Sequence, residues 1–392
     1  MDLKNLRSRI DTIKKQDRPA AVPAGLDTGP REIPPPEAAL LLNGWRRLAD
    51  MVYEKVTLSE NPLQPVISDF LMPEQADTAG LFFYDTETTG LGGAGNIVFL
   101  TGFGFTEGDA FKTVQIMLTD FPGEPAFLEA MKPYISPERI YVSYNGRAFD
   151  ANILKSRYAL NGMRLNFGYQ LDLLYPSRRL WRNVIGSCSL GDIEEKILKK
   201  ERELDVPGAM VPDLYFDFMR SGDYAAIEGV AAHHLEDIKS LAELLSVFEK
   251  IAEDPVRLTK VDRTGLASQL TPRHPETAEA VLEAGFKAGS FKAAKELGLL
   301  RKRRGDYDAA RGIWENLWES RRSIFAGIEL AKQLEHREKD IEKAHSLTCE
   351  LLSLDRIRIK LVIPELERRR VRLELKLLRM VTRSGCIRRS DS

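Results

Sequence analysis

The chain of 392 residues is long enough for two or three domains, and its 43% hydrophobic and 29% charged content is ordinary for a folded protein. Its 57 Lys and Arg balance 58 Asp and Glu, so overall charge gives no sign of a nucleic-acid-binding protein. Three widely spaced cysteines argue against a disulfide framework or a zinc knuckle. The sequence lacks a long apolar run and has charges near its start, so we expect a cytoplasmic protein with no membrane partner.

The N-terminal part is the least regular. Residues 1–16 have a short helical rhythm, and a Pro-rich stretch that reads as an extended linker follows them. Further on, the spacing of Trp45, Val52 and Val56 suggests one more helix. We assign residues 1–79 to an N-terminal helix, this linker and a lead-in segment.

Residues 80–251 have the pattern of an α/β domain. Three strands joined by short connections favour antiparallel pairing, and two later strands separated by helical segments favour parallel pairing. The predicted strands are Leu81–Asp85, Ile97–Phe105, Phe111–Leu118, Ile140–Tyr144 and Gln170–Leu174. This order predicts a mixed five-stranded sheet flanked by helices.

The C-terminal part is predicted to be all-α. Residues 252–275 carry turn residues and little periodicity, so a linker is expected there. In residues 276–380, an offset of about 34 residues, the tetratricopeptide period, superposes Asp306 on Asp340 and Ala310 on Ala344. Residues 381–392 form a basic tail.

The sharpest chemical signal is the pair Asp85 and Glu87, which ends an apolar strand and precedes Gly90. Side chains two apart in a strand point to the same face, so these carboxylates lie side by side. Such a pair needs a positive partner, and hard oxygen ligands suit Mg²⁺ or Mn²⁺.

Two further blocks extend this acidic pair. Asp150 follows the Ile140–Tyr144 strand at the start of a helix, where it can reach the same metal or simply complement the helix dipole. His233 and Asp237 are four apart and share one helix face, and His234 lies beside them. Alone, such a pair is more often a surface pair than a catalytic one.

Together the blocks resemble the DEDD-type 3′–5′ exonucleases of the ribonuclease H-like superfamily. The segments Leu171–Trp181 and Pro212–Tyr215, with the C-terminal helices, resemble most closely the bacterial YprB-like proteins. The resemblance implies that Asp85, Glu87, Asp150 and Asp237 hold two Mg²⁺ or Mn²⁺ ions. It also implies that His233 is the general base, with His234 as the alternative.

The function implied is two-metal hydrolysis of phosphodiester bonds at nucleic-acid ends, with a single-stranded end as the expected partner. The expected nucleic-acid contacts include a basic and aromatic cluster suited to phosphates and bases; they are Thr86, Asn145, Arg178, Arg179 and Trp181. One alternative is a scaffold whose helical repeats recruit a protein partner while the nuclease fold is idle. Another is internal cleavage, as in ribonuclease H. Either RNA or DNA fits the sequence.

Overall fold

The computed structural model describes residues 36–90, 95–200, 206–258 and 260–387. The helix predicted for residues 1–16 lies outside these ranges. The strands are β1 (Arg46–Ala49), β2 (Val52–Glu60), β3 (Val66–Ile67), β4 (Ala76–Asp77), β5 (Leu81–Thr88), β6 (Val98–Glu107), β7 (Ala110–Leu118), β8 (Ile140–Ser143) and β9 (Tyr169–Asp172). The short strands β3 and β4 pair only with each other.

Helices cover the sheet and form the C-terminal part. Those before residue 254 are α1 (Pro36–Leu42), α2 (Glu124–Met131), α3 (Asp150–Leu160), α4 (Leu174–Ile185), α5 (Leu190–Ile193), α6 (Val211–Ser221) and α7 (Tyr224–Glu253). Those after it are α8 (Arg263–Leu270), α9 (Pro275–Lys287), α10 (Phe291–Arg303), α11 (Tyr307–Arg321), α12 (Ile324–Gln333), α13 (Ile341–Ser353), α14 (Arg356–Ile359) and α15 (Ile363–Ile387). No described helix is both long and apolar enough to span a membrane.

The main sheet has the strand order β1-β2-β7-β6-β5-β8-β9. Strand β5 pairs antiparallel with β6 and parallel with β8, and β8 pairs parallel with β9. The predicted mixed α/β sheet is therefore confirmed. It has seven strands rather than five, because β1 and β2 add to the edge beside β7.

The prediction of a helix around Trp45–Val56 is wrong. Val52 and Val56 are four apart, a spacing that places two residues on one side of a helix and equally on one face of a strand. Strand β2 buries Val52 and Tyr53 and then alternates half-buried with exposed residues, which is typical of a strand near a sheet edge. The lead-in segment thus belongs to the sheet, and the boundary predicted at residue 80 moves to the start of β1.

The two faces of β5 pack against different helices. Leu81 and Phe83 belong to one hydrophobic core together with Ile238 of α7. Phe82 and Tyr84 belong to a second core that includes side chains of α2, α3 and α6. Because alternate residues of a strand face opposite ways, this packing decides the face on which each polar residue at the end of β5 lies.

The predicted linker of residues 252–275 contains helix α8. Its turn residues signalled a loop, but the backbone N–H of Asp262 donates to the Leu180 carbonyl at 2.7 Å, and Leu266 is buried in the same core as Trp181. Gly265 lies so close to α4 that a Cβ there would stand 1.8 Å from the Arg179 carbonyl oxygen. The C-terminal helices therefore continue the core of the α/β part instead of hanging from a linker.

Residues related by the 34-residue offset occupy equivalent positions in helices α11 and α13. Asp306 and Asp340 each accept a backbone N–H as the N-cap of α11 and α13. Ala310 and Ala344, one turn further on, are both fully buried, which allows close helix contact. Helix α15 continues into the predicted tail up to Ile387, and the remaining tail residues lie beyond the described part of the chain.

Candidate metal centre and active site

Asp85 and Glu87 lie at the carboxyl end of β5, on the face that packs against α7. They continue the alternation of Leu81 and Phe83, and both are half-buried while Thr86 between them is buried. The strand thus presents two carboxylates to the helix above it, as the i, i+2 spacing predicts.

Helix α7 brings His233 and Asp237 to the same place. The His233 Nε2 atom lies 3.4 Å from Asp237 Oδ2, and both side chains are largely buried. Glu87, His233 and Asp237 each offer one ligand atom, and these atoms lie within 4.8 Å of one another. Two blocks separated by about 150 residues of sequence therefore meet in one group of metal-binding type.

Asp150 approaches from the other side of β5. It is the first residue of α3, whose Leu154 and Tyr158 pack in the second core, and only 5% of Asp150 is exposed. The Thr86 hydroxyl donates a hydrogen bond to Asp150 Oδ1. Asp85 and Asp150 are not members of the group formed by Glu87, His233 and Asp237.

The four carboxylates nevertheless act on one another electrostatically. Burial raises the pKa of Asp85 well above its usual value, and the charges of Asp150, Asp237 and Glu87 raise it further. Burial raises the pKa of Glu87 to about 8, with further contributions from Asp237 and Asp150. Burial also raises the pKa of Asp150 to about 6, although the Thr86 hydrogen bond opposes this shift. Oxygen donors that repel one another in this way fit a hard divalent cation.

His234 is held inside the protein rather than in the site. The Gln115 amide donates to the Ala231 carbonyl at 2.8 Å and to His234 Nδ1 at 2.9 Å, so His234 Nε2–H must donate to the Asp85 backbone carbonyl at 3.1 Å. Burial lowers the pKa of His234 to about 4 and keeps the ring neutral. With both ring nitrogens occupied, His234 has no lone pair to offer a water.

Two glycines of β6 let α7 approach the sheet. Gly102 pairs with Asp85 across the ladder, and a Cβ at Gly102 would lie 2.2 Å from Ile238 Cδ1 and 2.6 Å from His234 Cε1. A Cβ at Gly104 would lie 2.7 Å from Ile238 Cγ2. These glycines and Gln115 were not predicted from the sequence, although the Gly-x-Gly spacing within an apolar strand is a signal of close backbone approach.

Asp172 is a further residue whose role was not predicted from the sequence. It lies at the end of β9, where its Oδ1 atom accepts the backbone N–H groups of Asn145 at 2.8 Å and Leu174 at 3.0 Å. Asn145 has φ 65°, a left-handed conformation that Asn tolerates better than most residues. Asp172 thus fixes the turn between β8 and Asp150 and starts α4.

The structure separates the residues predicted to bind nucleic acid. Arg178 and Arg179 are exposed on α4, and Arg179 also donates to Gln269 of α8. Trp181 is only 2% exposed and its ring lies 5.1 Å from that of Phe248, so it is a core residue and cannot stack on a base. Thr86 is likewise buried and supports Asp150, which corrects its predicted contact with nucleic acid.

Comparison with known proteins agrees with this arrangement. A family model described as the RNase H superfamily matches residues 82–248, which include all the site residues on β5, α3 and α7. The chain therefore belongs to the RNase H superfamily. Over 305 residues it is 32% identical to the "Uncharacterized protein YprB" of Bacillus subtilis (strain 168). This alignment covers 74% of this chain and 73% of the relative.

A more distant likeness links the chain to a solved polymerase structure. The family B DNA polymerase from the hyperthermophilic archaeon Pyrobaculum calidifontis aligns with 65% of this chain at 15% identity and a TM-score of 0.35. The alignment covers 34% of the polymerase chain, so this protein corresponds to about a third of its length. A likeness at this score supports no conclusion about function.

Proposed function

We propose that the protein is a metal-dependent 3′–5′ exonuclease that hydrolyses phosphodiester bonds at nucleic-acid ends with two Mg²⁺ or Mn²⁺ ions. The observation that carries the proposal is the group of Glu87, His233 and Asp237, whose ligand atoms lie within 4.8 Å of one another beside Asp85 and Asp150. Membership of the RNase H superfamily supports nucleic-acid hydrolysis, and the resemblance of the acidic blocks to those of the DEDD-type exonucleases implies attack from the 3′ end.

The residues present fit divalent metal. Neighbouring carboxylates raise the pKa of Asp85 and of Glu87 beyond the effect of burial, and a bound cation would relieve that repulsion. Asp85, Glu87, Asp150 and Asp237 would hold the ions. When bound, divalent ions would activate a water and neutralise charge on the phosphate and the leaving oxygen.

His233 is the residue placed to move a proton. Its side chain is 14% exposed, so solvent can reach part of the ring. We assign to it the proton that the attacking water loses, and the Asp237 carboxylate, 3.4 Å from Nε2, stabilises the imidazolium that results. His234, on the next position of the helix, instead ties α7 to the backbone of Asp85.

The test compares site variants with a matched acidic control. Single-stranded RNA and DNA oligonucleotides are incubated with Mg²⁺ or Mn²⁺ and with the wild type, Glu87→Gln or Asp237→Asn. Glu236→Gln is the control, because Glu236 neighbours Asp237 on α7 but pairs with Lys239 at 2.8 Å at the surface.

The proposal expects metal-dependent shortening by the wild type and by Glu236→Gln, and none above background by the two site variants. Equal turnover in all four proteins would trace the activity to a contaminant. No turnover by the wild type on either nucleic acid would favour the scaffold alternative.

A further inference from the structure

An open groove lies between the α/β part and the C-terminal helices. Its volume is about 830 Å³, and its walls come from α4, α8 and α10. We call it the α4–α10 groove. The charged residues that line it are Arg178, Arg179, Lys292, Lys295, Arg303, Asp262 and Glu296.

The charge of the groove is strongly positive although the whole chain is almost neutral. Lys292, Lys295 and Arg303 follow one face of α10, three and eight residues apart. The carboxylate of Asp262 is already used, because it caps α8 and accepts from the Asn183 amide. Glu296 is then the one other acid among these lining residues, against five cations.

Two of the groove cations on α10, Lys292 and Arg303, differ from their neighbours on that helix. Arg301 and Lys302 of α10 pair with Glu279 and Glu329, at 2.7 and 2.5 Å. Lys292 and Arg303 are exposed, and no carboxylate of the described residues lies within ion-pair distance of either. Because unpaired cations repel one another along one groove, they favour a polyanion as its occupant.

The groove adjoins a second cavity that extends toward the turn before Asp150. Arg178 lines it and also lines a neighbouring cavity of about 510 Å³, which reaches Arg182 and Asn145. Asn145 stands at the turn that leads into Asp150, with its backbone held by Asp172. A strand whose 3′ end lies at the carboxylates can therefore pass Asn145 and Arg178 and continue along α10.

We propose that the α4–α10 groove binds the phosphate backbone of a single-stranded nucleic acid, 5′ to the nucleotide being removed. The inference rests on the proposed nuclease function and adds that the C-terminal helices supply part of the substrate-binding surface. Phe291, half-buried in the wall, offers an aromatic surface for a base, since stacking on aromatic residues accompanies backbone contacts in such grooves.

The test reverses two exposed cations in the full-length chain. Lys292→Glu/Arg303→Glu is compared with Arg47→Glu/Arg220→Glu, which makes the same change in charge elsewhere. Arg47 lies on the edge strand β1, and Arg220 lies on α6, which packs on the other core; both are exposed. Thermal melts check that both variants fold.

Binding of a labelled single strand of about 30 nucleotides is measured by anisotropy without divalent metal, between about 50 and 200 mM salt. The groove variant should bind roughly tenfold more weakly, and its slope of log affinity against log salt should be shallower by about 1.4, that is, about 0.7 for each lost phosphate contact. The control variant should resemble the wild type.

Turnover with Mn²⁺ separates this proposal from the nuclease function. The groove variant should lose more kcat/KM on a strand of about 30 nucleotides than on one of about four, which is too short to extend along the groove. Unchanged binding by the groove variant, equal loss in both variants, or no binding by the wild type would overturn the groove proposal. If no protein showed turnover but the groove variant still bound the strand more weakly than the wild type, only the nuclease function would be overturned.

Discussion

At the scale of single residues, two adjacent histidines have different environments. His233 is partly exposed beside Asp237, whereas His234 is fully buried and bridges Gln115 and the Asp85 carbonyl. One helix turn thus supplies both the proposed base and the contact that holds α7 on the sheet.

His233→Ala should lower kcat by roughly 10²–10⁴-fold, the usual contribution of a general base, and should leave the melting temperature nearly unchanged. His234→Ala should instead lower the stability by about 1–3 kcal/mol, because the buried Gln115 amide and Asp85 carbonyl each lose the hydrogen bond that the His234 ring makes with them. Turnover and thermal melts on both variants make the comparison. A large loss of stability in His233→Ala with normal turnover would contradict these assignments.

The raised carboxylate pKa values predict how the stability of the metal-free protein depends on pH. Glu87 has a pKa of about 8 in the folded chain and an ordinary value of 4.5. Below pH 4.5 both states carry the proton, but between these values the unfolded chain ionises first. The free energy of unfolding should therefore fall as the pH rises from about 4.5 to 8.

Thermal melts in chelator across this range test the effect, and Glu87→Gln should flatten the dependence. Added Mn²⁺ should raise the melting temperature more at pH 8 than at pH 5, because fewer protons then compete for the carboxylates. The same Mn²⁺ shift at both pH values would contradict this account of the site.

At the scale of elements, the site depends on how closely α7 packs on β6. Gly102→Ala would place a Cβ against Ile238 and the fixed ring of His234, so α7 must move away from β5. We expect a cost of about 1–3 kcal/mol from overpacking and a clear loss of turnover, since His233 and Asp237 move with the helix.

Gly80→Ala is the matched control, because a Cβ at Gly80 would meet no atom within 4 Å. Melting temperature and turnover are measured for both. Normal turnover in Gly102→Ala would show that the spacing between α7 and β5 does not limit the chemistry.

The elements also show how far the sequence could predict this protein. Short apolar runs located β5 and β8, and helix spacing placed His233 with Asp237, because these signals are local. The prediction of a helix over Val52 and Val56 was wrong because a spacing of four residues fits both a helix and a strand. Helix α8 was missed because turn residues that suggested a loop in fact cap a helix. Trp181 was misread because burial depends on tertiary packing, here against Phe248.

At the scale of the whole molecule, one hydrophobic core joins the α/β part to the C-terminal helices. Trp181 and Phe248 share this core with Leu266 and Val281. If residues 252–275 were the linker that the sequence predicts, a chain cut after Asp254 would fold alone. The packing of α8 on α4 instead predicts that this cut exposes apolar surface and destabilises the remaining domain.

A chain of residues 1–254 should melt well below a chain of residues 1–289, which keeps α8 and α9 over Trp181. Thermal melts followed by circular dichroism make the comparison. Equal melting temperatures would mean that the α/β part is stable without α8, as a separate domain would be.

The most direct test of the central claim is the product pattern from a 5′-labelled linear oligonucleotide and its circular counterpart, each incubated with Mn²⁺. A 3′–5′ exonuclease built on Asp85, Glu87, Asp150 and Asp237 should produce a ladder of labelled fragments that shorten stepwise. It should leave the circle intact, and Asp237→Asn should degrade neither substrate. Cleavage of the circle, or release of the label as a mononucleotide before any ladder forms, would contradict the account.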